Sequence, residues 1–150
     1  MNRDYLQPMK ILLVEDNLHD IEITRRAFSQ GKITHEIFVV RDGQDALNFL
    51  FNRGTFQDRE IYPRPNLVLL DLNLPKVTGL EVLSQIKQDD NLKTIPVIIH
   101  TVSQREEDIK KSYQLGANSY IHKKMQFEHF IQSINILREY WISTAVLPPP

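Results

Sequence analysis

Apolar positions along the chain fall into two alternating kinds of segment. Short, nearly unbroken runs occupy Lys10 to Val14, Glu36 to Val40, Asn66 to Leu70, Ile95 to Ile99 and, more weakly, Ser119 to His122. Such runs suit parallel strands buried on both faces. The intervals between them carry helical spacing instead: Ile23, Thr24, Ala27 and Phe28, then Ala46, Leu47 and Leu50, then Val82, Leu83 and Ile86. A last helical stretch from Phe127 to Trp141 carries Phe127, Phe130, Ile134, Leu137 and Trp141. Thr78 to Glu81 reads as a capping box opening the third helix, and Ser103 to Glu106 repeats the device before the fourth. Five strands alternating with five helices predict an α/β fold around a parallel sheet. Right-handed crossovers then leave few topologies and put ligands beyond the carboxyl ends of the strands. Gly54 to Pro65 is a polar, proline-containing surface loop, and the tail from Ser143 ends in three prolines that cannot continue a helix.

The strand ends carry polar chemistry. Glu15-Asp16-Asn17 follows the first strand, Asp71-Leu72-Asn73 the third, Thr101 the fourth and Lys123-Lys124 the fifth. Each alone has an ordinary explanation: a helix cap, a turn, a hydroxyl bonded to backbone, a solvated lysine. Their order at successive strand ends changes the picture. In a doubly wound sheet Glu15, Asp16 and Asp71 converge, and three close carboxylates repel unless a cation joins them. A hard divalent ion such as Mg²⁺ takes one or two protein carboxylates and completes its shell with water and phosphate oxygens. Lys123 and Thr101 then face the remaining phosphoryl oxygens, so the constellation reads as a site that accepts a phosphoryl group on a carboxylate.

Composition narrows the alternatives. With 150 residues, 41% hydrophobic and 25% charged, the chain has the makings of one globular domain. The absence of cysteine excludes disulfides, thiolate metal sites and cysteine nucleophiles. A net charge of -1 without runs of like charge offers no footprint for nucleic acid, and no apolar stretch is long enough to span a bilayer. Met1 to Asp4 lacks the apolar run of a secretory signal, so a cytoplasmic location is expected. The histidines at 19, 35, 100, 122 and 129 show no metal-ligand spacing, and His100 is expected to face a helix or the sheet rim.

The stretches Met9 to Asn17, Leu69 to Pro75 with Gly79, Pro96 to Thr101 and Gly116 to Lys123 closely resemble two-component response regulator receiver domains. The resemblance runs from about Met9 to Trp141. The stretch Pro63 to Pro75 behind its long loop looks most like regulators serving cyanobacterial and other bacterial phytochromes. The resemblance implies a flavodoxin-like, doubly wound (βα)5 fold with Asp71 as phosphoacceptor for a partner sensor histidine kinase. It implies Mg²⁺ held by Asp16, Asp71 and the backbone carbonyl of Asn73, with Glu15 acting through water. Lys123 and Thr101 would bind the phosphoryl group and Tyr120 would swing inward as a switch. A phosphoryl group adds charge and three strong acceptors, enough to bias a two-state loop.

Departures from the family pattern are Val102, where a small residue or threonine is usual, and Lys124, where proline is usual, followed by Met125 and Gln126. Val102 either slows water entry to the phosphoryl group or simply packs. With lysine in place of proline, the Lys123–Lys124 bond is expected to be trans, since a non-proline cis bond costs about 2.5–4 kcal/mol. The expected organisation is an extension over 1–8, the receiver over 9–142 and a proline-rich tail over 143–150. The expected role is phosphoacceptor signalling by a receiver working alone through protein–protein contacts, without enzymatic turnover. Two rivals remain: a degenerate receiver used as a scaffold, and a haloacid-dehalogenase-type phosphohydrolase. The latter wants Asp-x-Asp where this chain has Asp71-Leu72-Asn73. A homodimer through the fourth helix, fifth strand and fifth helix is expected, because Ile136 and Tyr140 form a second apolar stripe followed by Ile142, Val146 and Leu147. The competing expectation is that the long loop covers this stripe.

Overall fold

The computed structural model describes residues 8–31 and 34–149. The expected extension over 1–8 therefore lies outside the described residues except for Pro8. Strands β1 (Met9–Val14), β2 (His35–Val40), β3 (Leu67–Leu70), β4 (Val97–Thr101) and β5 (Ser119–His122) alternate with helices α1 (Leu18–Ser29), α2 (Gly43–Leu50), α3 (Gly79–Gln88), α4 (Glu106–Gln114) and α5 (Phe127–Arg138). The strands form one parallel sheet in the order β2-β1-β3-β4-β5. Strand order reverses between β1 and β3, which opens a crevice at their carboxyl ends.

Alternation within each strand divides the core. Leu12, Val14, Val68, Leu70, Val97 and Ile99 pack with α2 and α3 on one face. Ile11, Leu13, Leu67, Leu69 and Ile98 pack with α1 and α5 on the other. Both faces are covered, which is why the strands read as unbroken apolar runs.

Several local expectations shift. β4 begins two residues later than its apolar run, at Val97, because Ile95 closes a turn onto Leu92 and Pro96 has no N–H to donate. At its other end the strand runs on to Thr101, which pairs with His122 of β5. Thr78 caps α3 by accepting from the Glu81 N–H at 3.2 Å, while the Glu81 carboxylate turns to Gln85. The second expected box does not form: α4 starts at Glu106 with Arg105 as its cap, and the Ser103 hydroxyl donates to Asp108 at 2.6 Å. The Lys123–Lys124 bond is trans, as is every peptide bond among the described residues.

The C-terminal helix needs a larger correction. Phe127, expected in the core, is 51% exposed, and Ile142, expected on the outer stripe, is 6% exposed. A π-helical turn over Glu139–Thr144 follows α5, and its wider spacing rotates Ile142 back onto the α1–α5 core. This turn runs beyond residue 142, into the segment expected to be tail. The loop from Gly54 to Pro65 packs on α2, with Phe56 and Tyr62 at 5.5 and 5.8 Å from the Phe49 ring. It therefore covers part of α2 and leaves Ile136 and Tyr140 exposed at 63% and 56%.

Candidate functional site

The acidic residues reach the crevice because Glu15 and Asp71 directly follow strands and Asp16 comes next after Glu15. Glu15 extends β1, its N–H bonded to Val40 of β2, and Asp71 extends β3, its N–H bonded to Val14 of β1. Oxygens of Glu15, Asp16 and Asp71 lie within 4.8 Å of one another. Glu15 and Asp71 are buried and Asp16 is half-buried. The Asp16 carbonyl accepts from Arg41 at 3.1 Å, and the Asp71 Oδ1 accepts the Asn73 N–H at 3.2 Å. Asn73 itself is exposed on the loop that leads to α3.

Lys123 follows β5 and is almost wholly buried, at 4% side-chain exposure. Its N–H donates to the Thr101 carbonyl at 2.7 Å, which fixes where its side chain departs. The ammonium donates to Glu15 Oε1 and to Asp71 Oδ2 at 3.0 Å, and lies 2.9 Å from Asp20 Oδ2. Thr101 is buried beside this cluster at the end of β4, and its Oγ1 accepts from the Ser103 N–H at 3.4 Å. Tyr120 points to the same loop, its hydroxyl donating to the Ser103 carbonyl at 2.9 Å. Ile136 lies on α5 and Tyr140 on the π turn that follows it, both outside this cluster.

Burial pushes the Glu15 carboxyl up to about 7, against the pull of Lys123, with Asp71 adding to the rise. Burial opposes the charge on Lys123, but Asp71 and Glu15 outweigh it and hold the ammonium above the ordinary lysine range. One ammonium is shared among Glu15, Asp71 and Asp20, with the Asp16 carboxylate close by, so the site is short of positive charge. The donors are all hard oxygens, the set that suits a small divalent cation. The residues present therefore fit such an ion.

Two site residues were not among the sequence-level candidates. Asp20 sits one helical turn after Asp16 in the first turn of α1, and Arg41 follows β2. The spacing of Asp20 from Asp16 was the available signal, but a first-turn acid is also an ordinary helix-stabilising residue. His100 faces α5 as expected: its ring meets Phe130 edge-on at 5.1 Å, with Nε2 buried and unpaired.

Residues 11–135 match the response regulator receiver domain family. The chain is 40% identical over 141 residues to the response regulator Rcp1 of Synechocystis sp., covering 94% of each chain. Its fold is similar to the phosphorylated cyanobacterial phytochrome response regulator RcpA, with a TM-score of 0.91 and 43% identity over 95% of this chain and all (100%) of that one. It is also similar to the Mn²⁺-bound form of Rcp1, with a TM-score of 0.90 and 41% identity over 95% and 100% of the two chains. Receiver domains are signalling proteins rather than enzymes in the usual sense, and bind Mg²⁺ at an acidic pocket. An unbroken match through β1 to α5, on a sheet that brings the acidic trio to its crevice, places the chain in the response regulator receiver domain family.

Proposed function

We propose that this receiver accepts a phosphoryl group on Asp71 from a sensor histidine kinase and passes the signal on through protein–protein contacts. One observation carries the reading: the Asp71 carboxylate is buried between a fixed ammonium and two further acids. Transfer breaks the P–N bond of a donor phosphohistidine as an Asp71 oxygen bonds to phosphorus, and the imidazole leaves with the electron pair. Asp16, Asp71 and the Asn73 carbonyl are the proposed Mg²⁺ ligands, with Glu15 acting through water. The bound ion supplies positive charge to the phosphoryl oxygens. Lys123 contributes a second positive charge, and Thr101 a hydroxyl donor from the end of β4. Tyr120 is the proposed switch, since its bond to the Ser103 carbonyl ties it to the loop that follows Thr101.

The resemblance to Rcp1 and RcpA supports a phytochrome-type kinase as phosphodonor. We assign the receiver to 9–142 together with the π turn that carries it on to Thr144, flanked by the extension over 1–8 and the remainder of the tail, and place it in the cytoplasm. No helix among the described residues is long and apolar enough to cross a membrane. Ile136 and Tyr140 support a homodimer, because they line a shallow groove of about 390 Å³ along α5 and the π turn after it. The balanced charge favours protein partners over nucleic acid.

The test is incubation with acetyl phosphate and Mg²⁺, followed by phosphotransfer from a panel of purified histidine kinases. A single phosphoryl addition, dependent on Mg²⁺ and fastest with a phytochrome kinase, is the expected result. An unmodified chain under all conditions would leave the scaffold reading in its place.

A further inference from the structure

Asp20 is absent from the phosphoryl chemistry above, yet its carboxylate reaches the same ammonium. It is the third residue of α1, and its backbone is pinned on both sides. Its N–H donates to Asn17 Oδ1 at 3.0 Å, and its carbonyl accepts the Thr24 hydroxyl at 2.7 Å. An acid at this helix position ordinarily turns back to the N–H of the cap residue. Here that N–H is taken, because Asn17 donates it to Glu15 Oε2 at 3.2 Å. The Asp20 carboxylate turns to the site instead, where Oδ2 lies 2.9 Å from Lys123 Nζ with only 20% of the side chain exposed.

A lysine ammonium has three protons, and Lys123 meets three carboxylates: Glu15, Asp20 and Asp71. Glu15 and Asp71 belong to the acidic trio that fits a cation, and Asp20 lies outside it. A cation in the trio competes with Lys123 for Glu15 and Asp71, and phosphorylation removes the free carboxylate of Asp71. Neither event alters Asp20. We propose that Asp20 is a positioning residue that holds the Lys123 ammonium at Asp71 throughout phosphoryl transfer, by an ion pair independent of the metal-binding trio. This rests on the reading of Asp71 as phosphoacceptor.

Two readouts test it. With Mg²⁺ saturating the acidic trio, the Lys123 ammonium resonance is followed by ¹H–¹⁵N correlation in the wild type, Asp20→Asn and Asp20→Glu. Separately, labelling by acetyl phosphate at saturating Mg²⁺ is timed by intact mass, alongside calorimetric Mg²⁺ titration. The resonance, sheltered in the wild type, is expected to vanish in Asp20→Asn and return in Asp20→Glu. Labelling is expected to slow about tenfold in Asp20→Asn, the size of one charge-assisted hydrogen bond, and to recover in Asp20→Glu. An unchanged resonance or an unchanged labelling rate in Asp20→Asn overturns the proposal. So does a loss of Mg²⁺ affinity as large as the loss of rate, which would make Asp20 a metal ligand. The resonance needs no phosphorylation: a wild type that takes up no phosphoryl group defeats the phosphoacceptor reading, and the resonance still decides whether Asp20 holds the lysine.

Discussion

Lys123 Nζ and Asp71 Oδ2 meet at 3.0 Å across 52 residues of chain, although the strands that carry them are not neighbours. β4 lies between β3 and β5, and the lysine passes the end of β4 with its own N–H bonded to Thr101. Three strand ends are thus tied by one residue.

Removing that cation leaves Glu15 and Asp71 buried together without it. Lys123→Ala is expected to destabilise the metal-free protein by about 3 kcal/mol, the cost of stranding buried charge. Added Mg²⁺ should restore part of this by binding only the folded state. Urea denaturation with and without Mg²⁺ checks it, and equal midpoints for variant and wild type would contradict it.

Asp71→Asn removes the proposed nucleophile at nearly constant volume. The variant is expected to fold, by circular dichroism, and to take up no phosphoryl group from acetyl phosphate. Asp16→Ala is expected to weaken Mg²⁺ binding and slow labelling. Stoichiometric labelling of Asp71→Asn would sink the assignment.

His100 is buried, which pushes its imidazole down to about 3, with Lys123 adding to the fall. Its ordinary value is near 6.5, so between the two values the unfolded chain binds a proton that the folded protein refuses. Stability from this residue is complete above about pH 6.5 and declines as pH falls toward 3. Replacing His100 with leucine removes both this sensitivity and the unpaired Nε2. The stability of His100→Leu relative to wild type is expected to increase by about 2 kcal/mol between pH 7 and pH 5. Denaturation of both proteins at the two pH values, without metal, measures the difference.

Gly79 begins α3 where the chain passes close to the phosphoacceptor. A Cβ there would lie 2.2 Å from the Asp71 carbonyl oxygen and 2.6 Å from the Leu72 Cα, both backbone atoms with little freedom to yield. Gly79→Ala is expected to cost about 2 kcal/mol or more and to slow labelling by displacing Asp71. Thermal unfolding and acetyl phosphate kinetics provide the two measurements.

The proposed dimer predicts that wild type scatters light as two chains at micromolar concentration. The double variant Ile136→Asp, Tyr140→Ala should scatter as one chain. A monomeric wild type, phosphorylated or not, refutes the dimer.

The strand–helix alternation was legible because apolar periodicity is local: a strand buried on both faces must be apolar throughout, and α1 to α3 each show one buried face. The strand-end residues Glu15, Asp16, Asp71, Thr101 and Lys123 were legible for the same reason, since parallel connectivity sends every strand's carboxyl end to one edge. Local patterning misled where a tertiary contact competed. Ser103 looked like a helix cap but bonds Asp108 from outside the helix, and Ile142 looked exposed until the π turn after α5 rotated it inward.

The chain's order of residues determined which side chains reach the crevice, because an element's position follows from periodicity and connectivity. Only the tertiary structure decided how they pair there. Lys123 lies 108 residues from Glu15 and 52 from Asp71, and its choice of carboxylates depends on sheet order and on the path of the loop from β5. Asp20 reaches the Lys123 ammonium while Glu15 occupies the Asn17 N–H that a first-turn acid would otherwise take. That competition takes place in space, between groups brought together by folding, and leaves no periodic trace along the chain.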